Sequence, residues 1–396
     1  MIVRFLISNA YASGGTVRTT LNMASELANR HSVEVVSIFH RHEQTLYPVD
    51  PRVRLRPLAT PLQPTGEGFV GDARRRAQEW ARGQPSRVVH VQDARHALYN
   101  GLDDVHLVRF LRSVRDGVLI ATRPGLNLAM ARYTRRSVVR IAQEHLHLGR
   151  HRPGLRTAIQ RQYPKLDAVT TLTEDDAGDY RRLLEDRVRV ACVPNAVPDL
   201  GPGRATLDNK VVIAAGRLTG QKGFDRLIRA FAKVARKHPD WQLRIFGQGK
   251  REEQLQHQIK RLDVGANVAL MGYTHELPAE MADASIYAMS SRFEGFPMVM
   301  LEAMSRGLPV VTFDFPTGAR DLVDDGVHGV LVPNGDVNGL AAGITQLIED
   351  DTRRKTCGAA AVAKAAQYDT PALGRRWDVL LDELVTAKTA ARRGAG

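Results

Sequence analysis

Short apolar runs recur along the whole chain and alternate with stretches patterned at helical spacing. In the first half, residues 2–7, 33–39, 87–91, 117–121, 138–142, 167–172 and 188–193 read as strands. Their apolar residues are continuous, so these strands are covered on both faces, as in a parallel sheet. Residues 17–30 form a helix on the spacing of Leu21, Met23, Ala24, Leu27 and Ala28. Residues 51–71, rich in Pro, Gly and Thr, read as connection, and 194–209, dense in Pro and Gly, as a boundary. The rhythm then restarts, with strands at 211–215, 241–246, 266–273, 284–289 and 308–313 and a helix at 299–306 stopped by Gly307 and Pro309. A last amphipathic helix, 371–386, carries Leu373, Trp377, Leu380, Leu381 and Leu384.

Repeated strand–helix alternation predicts the α/β class, with two Rossmann-like, doubly wound parallel-sheet domains. The expected division is an N-terminal domain at 1–198, a linker at 199–209, a C-terminal domain at 210–370 and a final helix at 371–396.

A length of 396 residues suits two domains of ordinary size, and 43% hydrophobic content is that of a globular enzyme. No apolar run reaches the roughly 18–20 residues of a membrane helix. The opening residues read as a first strand rather than a signal peptide. Cys192 and Cys357 are isolated, as expected of reduced thiols in a cytoplasmic protein. Net charge is +13 and uneven: residues 1–200 hold 30 Lys and Arg against 20 Asp and Glu, and the remainder 26 against 23. Two readings of that excess stand: a solvated basic face, or a surface for an anionic or lipid-linked acceptor with peripheral membrane contact. Aromatics do not interleave with the basic residues, so no nucleic-acid partner is expected.

The chemistry centres on residues 290–304. A strand runs into a loop with Gly295 and Pro297 and then into a helix, which presents backbone N–H groups of about Phe296, Met298 and Val299 at a helix N-terminus. That suits phosphate. Glu294 and Glu302 lie eight residues apart on either side; carboxylates repel phosphate and accept from hydroxyls, so the pair suits a sugar-bearing nucleotide. Upstream, Gly216-Arg217-Leu218-Thr219-Gly220-Gln221-Lys222-Gly223 follows a strand, and a planar cationic fork beside a mobile ammonium suits a diphosphate.

Glu294-Gly295-Phe296-Pro297 through Glu302 resembles the E-x7-E signature of family-4 retaining glycosyltransferases, and Arg217 with Lys222 resembles their pyrophosphate-binding pair. The likeness is strong over 211–350 and mostly one of layout over 1–200. It implies a GT-B fold with two domains facing a central cleft, and a final helix crossing back to brace the first domain. It implies a hexose moved, with retention, from a nucleotide diphosphate sugar, uridine-linked by preference. Arg217 and Lys222 would meet the growing negative charge, Glu294 the donor sugar and Glu302 the ribose. Gly272 and Tyr273 would lie near the base, and Gly216 and Gly15 near the phosphates. On the acceptor side stand Gly14, Gly15, Arg123 and His145, with His145 near the bond being broken. No D-x-D occurs, so no metal or other cofactor is expected. A sugar-nucleotide epimerase of the same fold and a non-catalytic anionic-surface module are the alternatives; no pyridoxal-phosphate lysine context for a phosphorylase is found.

Overall fold

The computed structural model describes residues 1–12, 14–40, 44–58 and 69–393, with side chains from 75 onward in the helix that starts at Phe69. Two compact units divide it: Met1–Ala196 with Leu373–Gly396, and Val197–Ala372.

Among the described residues, unit 1 holds seven parallel strands, β1 (Ile2–Ile7), β2 (Ser32–Ser37), β3 (Arg54–Pro57), β4 (Val118–Ala121), β5 (Val139–Gln143), β6 (Ala168–Thr171) and β7 (Arg189–Cys192), in the order β3-β2-β1-β4-β5-β6-β7. Every residue of β4, β5 and β6 is buried, which explains why β4 and β6 are apolar or small throughout, whereas β5 also buries Arg140 and Gln143. Helices between the strands are started by ordinary devices. Asn100 and Asp103 make a reciprocal capping box for Gly101–Ser113. Thr173 caps Glu174–Leu184, whose first turn is acidic and last turn basic. The final helix, Thr370–Arg393, is longer than its pattern predicts. Its Trp377 is 1% exposed and meets Phe5 of β1 edge-on, ring centroids 6.5 Å apart.

Unit 2 holds β8 (Val211–Ala215), β9 (Gln242–Phe246), β10 (Val268–Gly272), β11 (Ile286–Met289), β12 (Val310–Asp314) and β13 (Gly329–Pro333), in the order β10-β9-β8-β11-β12-β13, all parallel. Its first residues are tied down by Arg306, which is buried and gives its guanidinium to the carbonyls of Leu200, Gly201 (2.9 Å), Pro202 (3.0 Å) and Gly203. The two chain connections also run side by side here, as Val197 N–H donates to Tyr368 O (2.8 Å) and Thr370 Oγ1 to Val197 O (3.1 Å).

Two expectations need correction. Residues 87–91 are not a strand: Asp104 Oδ2 accepts from the Arg87 (2.6 Å) and Val88 (3.2 Å) amides and Ser86 Oγ from that of Val89 (3.0 Å), so side chains have taken donors a ladder would use. The connection at 51–71 contains the edge strand β3 and the start of a helix, Phe69–Arg82; the part of it at 59–68 lies outside the described residues, as does Ser13 of the first glycine loop.

Candidate functional site

In unit 2 the strand order reverses between β8 and β11, which are hydrogen-bonded neighbours. In open α/β sheets the carboxyl ends of strands at such a reversal are the usual ligand position. The β8 loop is 216–223 and leads to the helix Phe224–Lys237; the β11 loop is 290–297 and leads to the helix Met298–Ser305. Gly223 lets the two loops touch: its φ is 65° and a Cβ there would stand 2.1 Å from the Ser290 carbonyl oxygen. Ser290 Oγ then donates to Lys222 O (3.0 Å) and Arg292 N–H to Gln221 O (2.8 Å).

Lys222 and Glu294, assigned different parts of the ligand by sequence, are brought together, Nζ to Oε1 at 2.7 Å. Glu294 is 9% exposed and also accepts from Ser291 Oγ (2.5 Å) and Gln221 Nε2 (3.3 Å), while its carbonyl accepts from Thr317 Oγ1 (2.8 Å). Lys222 lies across Gly216, where a Cβ would meet its Cε at 2.9 Å. Glu302 is buried one helix turn in. Burial first, and then the carboxylates of Glu294 and Glu302, push the Tyr287 hydroxyl far above the usual phenol range. Arg217 is exposed at the mouth of the same loop.

The helix N-terminus offers fewer amides than its sequence suggests. Pro297 immediately precedes the first helical residue and has no N–H, and the Met298 N–H turns back to Phe296 O at 2.9 Å. Among the described residues no side chain caps this end and no acid sits in its first turn, so its field stays positive. Gly295 and Val299 are half-buried and Phe296 is buried. Gly272 ends β10, its carbonyl taken by Gly247 N–H (2.7 Å), and the 63%-exposed Tyr273 stands edge-on to His275.

Unit 1 reverses its order between β1 and β4. Gly14, with φ 147°, precedes the helix Gly15–Leu27, and both glycines are exposed. After β4, Arg123 is less available to an anion than expected, because Nη2 donates to Asp93 Oδ1 at 2.5 Å. Burial pushes the Asp93 carboxyl up, but the Arg123 guanidinium and the amides of Arg95 (2.8 Å) and Gly125 (2.9 Å) outweigh it and hold it below the usual range. After β5, His145 is half-buried, and its Nε2 has no hydrogen-bond partner among the described residues. Burial first, and then Arg123, push its pKa down to about 4, so the ring is neutral at ordinary pH. Its neighbour Glu144 turns inward, accepting from Asn127 Nδ2 (2.8 Å) and Tyr163 and standing 3.5 Å from His151.

Behind this rim His147, Asp176 and Asp179 cluster at metal-ligand spacing. Gly149 N–H donates to His147 Nδ1 (2.9 Å), which puts the ring proton on Nε2, facing Asp179 Oδ2 at 3.1 Å. Hydrogen bonding accounts for the group.

Sequence reasoning missed Gln221, Ser291, Arg292 and Asp225 in unit 2 and Asp93 and Glu144 in unit 1. The first three lay inside the quoted motifs without an assigned role. Asp93 carried no signal, since the stretch before it read as strand.

Residues 202–364 match the family model described as "Glycosyl transferases group 1". An exopolysaccharide phosphotransferase of Streptomyces coelicolor is 33% identical over the whole of this chain, which spans 42% of that protein's length; the chain spans 52% and 34% of two other curated relatives. Among solved structures, S. aureus TarM with UDP and α-GlcNAc-glycerol superimposes with a TM-score of 0.75 at 16% identity, over 96% of this chain and 99% of that one. Anabaena HepE with UDP gives 0.71 at 19% identity, over 97% and 100%. Residues 202–364 are thus similar to the glycosyl transferases group 1 family, and the fold of the chain is GT-B.

Proposed function

We propose that the chain is a retaining, metal-independent glycosyltransferase that moves a hexose from a UDP-linked sugar to an acceptor hydroxyl. The observation that carries this reading is the gathering of Arg217, Lys222, Glu294 and a positive helix end at one strand-order reversal. TarM and HepE, solved with UDP, support the choice of nucleotide.

Leaving of the diphosphate puts negative charge on its oxygens and positive charge on the anomeric carbon. Arg217, Lys222 and the helix end supply fixed positive field for the first. Glu294 supplies negative charge for the second and accepts from sugar hydroxyls. Glu302 accepts from ribose hydroxyls. A neutral His145, its Nε2 unengaged, can exchange a hydrogen bond with an acceptor hydroxyl without adding charge. The acceptor reading is an anionic or lipid-linked molecule, supported by the arginine excess of the first 200 residues.

Calorimetric titration with UDP, GDP, ADP and CMP tests the reading. Micromolar binding of UDP, with weaker binding of the others, is expected. Absence of nucleotide binding removes the donor site, and preference for GDP or ADP removes the uridine assignment alone.

A further inference from the structure

Gln221 joins the cationic loop to the acidic one by three hydrogen bonds. Its carbonyl accepts from Arg292 N–H (2.8 Å), and its side-chain amide donates to Phe293 O (3.1 Å) and Glu294 Oε2 (3.3 Å). A carbonyl and a carboxylate are both acceptors, so the amide orientation is forced, with the NH2 end facing them. Lys222 and Ser291 both sit on the other oxygen, Oε1.

A glutamate carboxylate turns on a broad, shallow torsion. Held at Oε1 alone, it can still swing about that anchor. Gln221 holds Oε2 as well, and two anchors on opposite oxygens fix the plane. Because Gln221 is neutral, it does this without cancelling the negative charge that Glu294 presents. We propose that Gln221 is a positioning residue that orients the Glu294 carboxylate toward the donor sugar. This rests on the glycosyltransferase reading above. Gln221 acts on the sugar end of the site through Glu294, so its loss is felt in turnover rather than in nucleotide affinity.

Q221A and Q221E are tested in the full chain. The readouts are UDP affinity by calorimetry, thermal unfolding, and hydrolysis of whichever member of a panel of UDP-, GDP- and ADP-sugars the unaltered protein turns over. Q221A is expected to lose about tenfold in kcat, the scale of one hydrogen bond, with UDP affinity within about twofold of the unaltered protein. Q221E, which faces one carboxylate with another, is expected to lose more at pH 8 and to recover toward pH 5, where its protonated carboxyl can donate. A role confined to holding the loops together would lower melting temperature and UDP affinity and give no such pH recovery. Unchanged kcat in Q221A, or equal losses of kcat and UDP affinity, overturns the proposal and leaves the glycosyltransferase reading standing. Failure of the unaltered protein to bind any nucleotide or turn over any sugar removes both.

Discussion

Arg292 and Asp225 form a two-pronged ion pair, Nη1 to Oδ1 at 3.0 Å and Nη2 to Oδ2 at 2.8 Å, and Arg292 Nη1 also reaches Gly220 O at 2.6 Å. One side chain from the β11 loop thus grips both the β8 loop and the first turn of the helix behind it. Burial raises the Asp225 carboxyl, but the Arg292 fork and Arg251 hold it below the usual range. R292K keeps the charge and loses the fork. It is expected to destabilise unit 2 by about 1–2 kcal/mol and to weaken UDP binding, read by urea unfolding and calorimetry. Unchanged values would show that the fork is dispensable.

Lys222 and Glu294 are in contact, so their variants should part in sign. K222A removes a diphosphate cation and is expected to weaken UDP binding by about 10–100-fold while remaining folded. E294Q removes the anion that competes for Lys222 and should leave UDP affinity equal or higher, with turnover largely lost. Weaker UDP binding in E294Q would refute the pairing argument.

Glu302→Ala is expected to weaken UDP binding more than Glu294→Ala. Ribose belongs to every nucleotide probe, whereas the sugar is absent from UDP. The reverse order in calorimetry would exchange their two roles.

Asp176 gives a pH signature. Burial pushes its carboxyl from 3.8 up to about 7. The folded state therefore holds this proton more tightly than the unfolded chain does. The resulting stability is full below about pH 4 and is lost as pH rises toward 7, by about 1.4 kcal/mol per pH unit at most. D176N, which can still accept from Leu148 N–H, should not lose it. Urea midpoints of D176N are expected to gain on those of the unaltered protein between pH 5 and 7; parallel curves would contradict the shift.

His145 is expected to contribute no ionisation to the pH–rate profile between pH 5.5 and 8, because its pKa lies at about 4. An NMR titration of its ring protons showing a midpoint near 6.5 would overturn the neutral assignment.

The interior strands were legible because a parallel sheet covers both faces, so β4 and β8 had nothing to be but apolar runs, and β5 and β9 kept enough apolar residues around Arg140 and Arg244 to read the same way. Edge strand β3 reads Arg-Leu-Arg-Pro, with its arginines exposed, and composition could not separate it from loop. The run at 87–91 misled for the opposite reason: valines suggested a ladder, but Asp104 and Ser86 claimed its amides. In the site, residue types at a strand end were readable, since Gly216, Lys222, Gly223 and Glu294 each answer a local need of backbone or charge. Partnerships were not. Gln221 meets Glu294 across 73 positions and Arg123 meets Asp93 across 30, and no local pattern encodes either.

The packing of Trp377 on Phe5 has a consequence for synthesis. Unit 2 is one continuous stretch, Val197–Ala372, whereas unit 1 needs residues from both ends of the chain. The ribosome delivers the first strand early and the tryptophan that covers it only after all of unit 2 has emerged. The usual order, in which the domain made first closes first, is therefore inverted, and the middle of this sequence can reach its native form before its beginning.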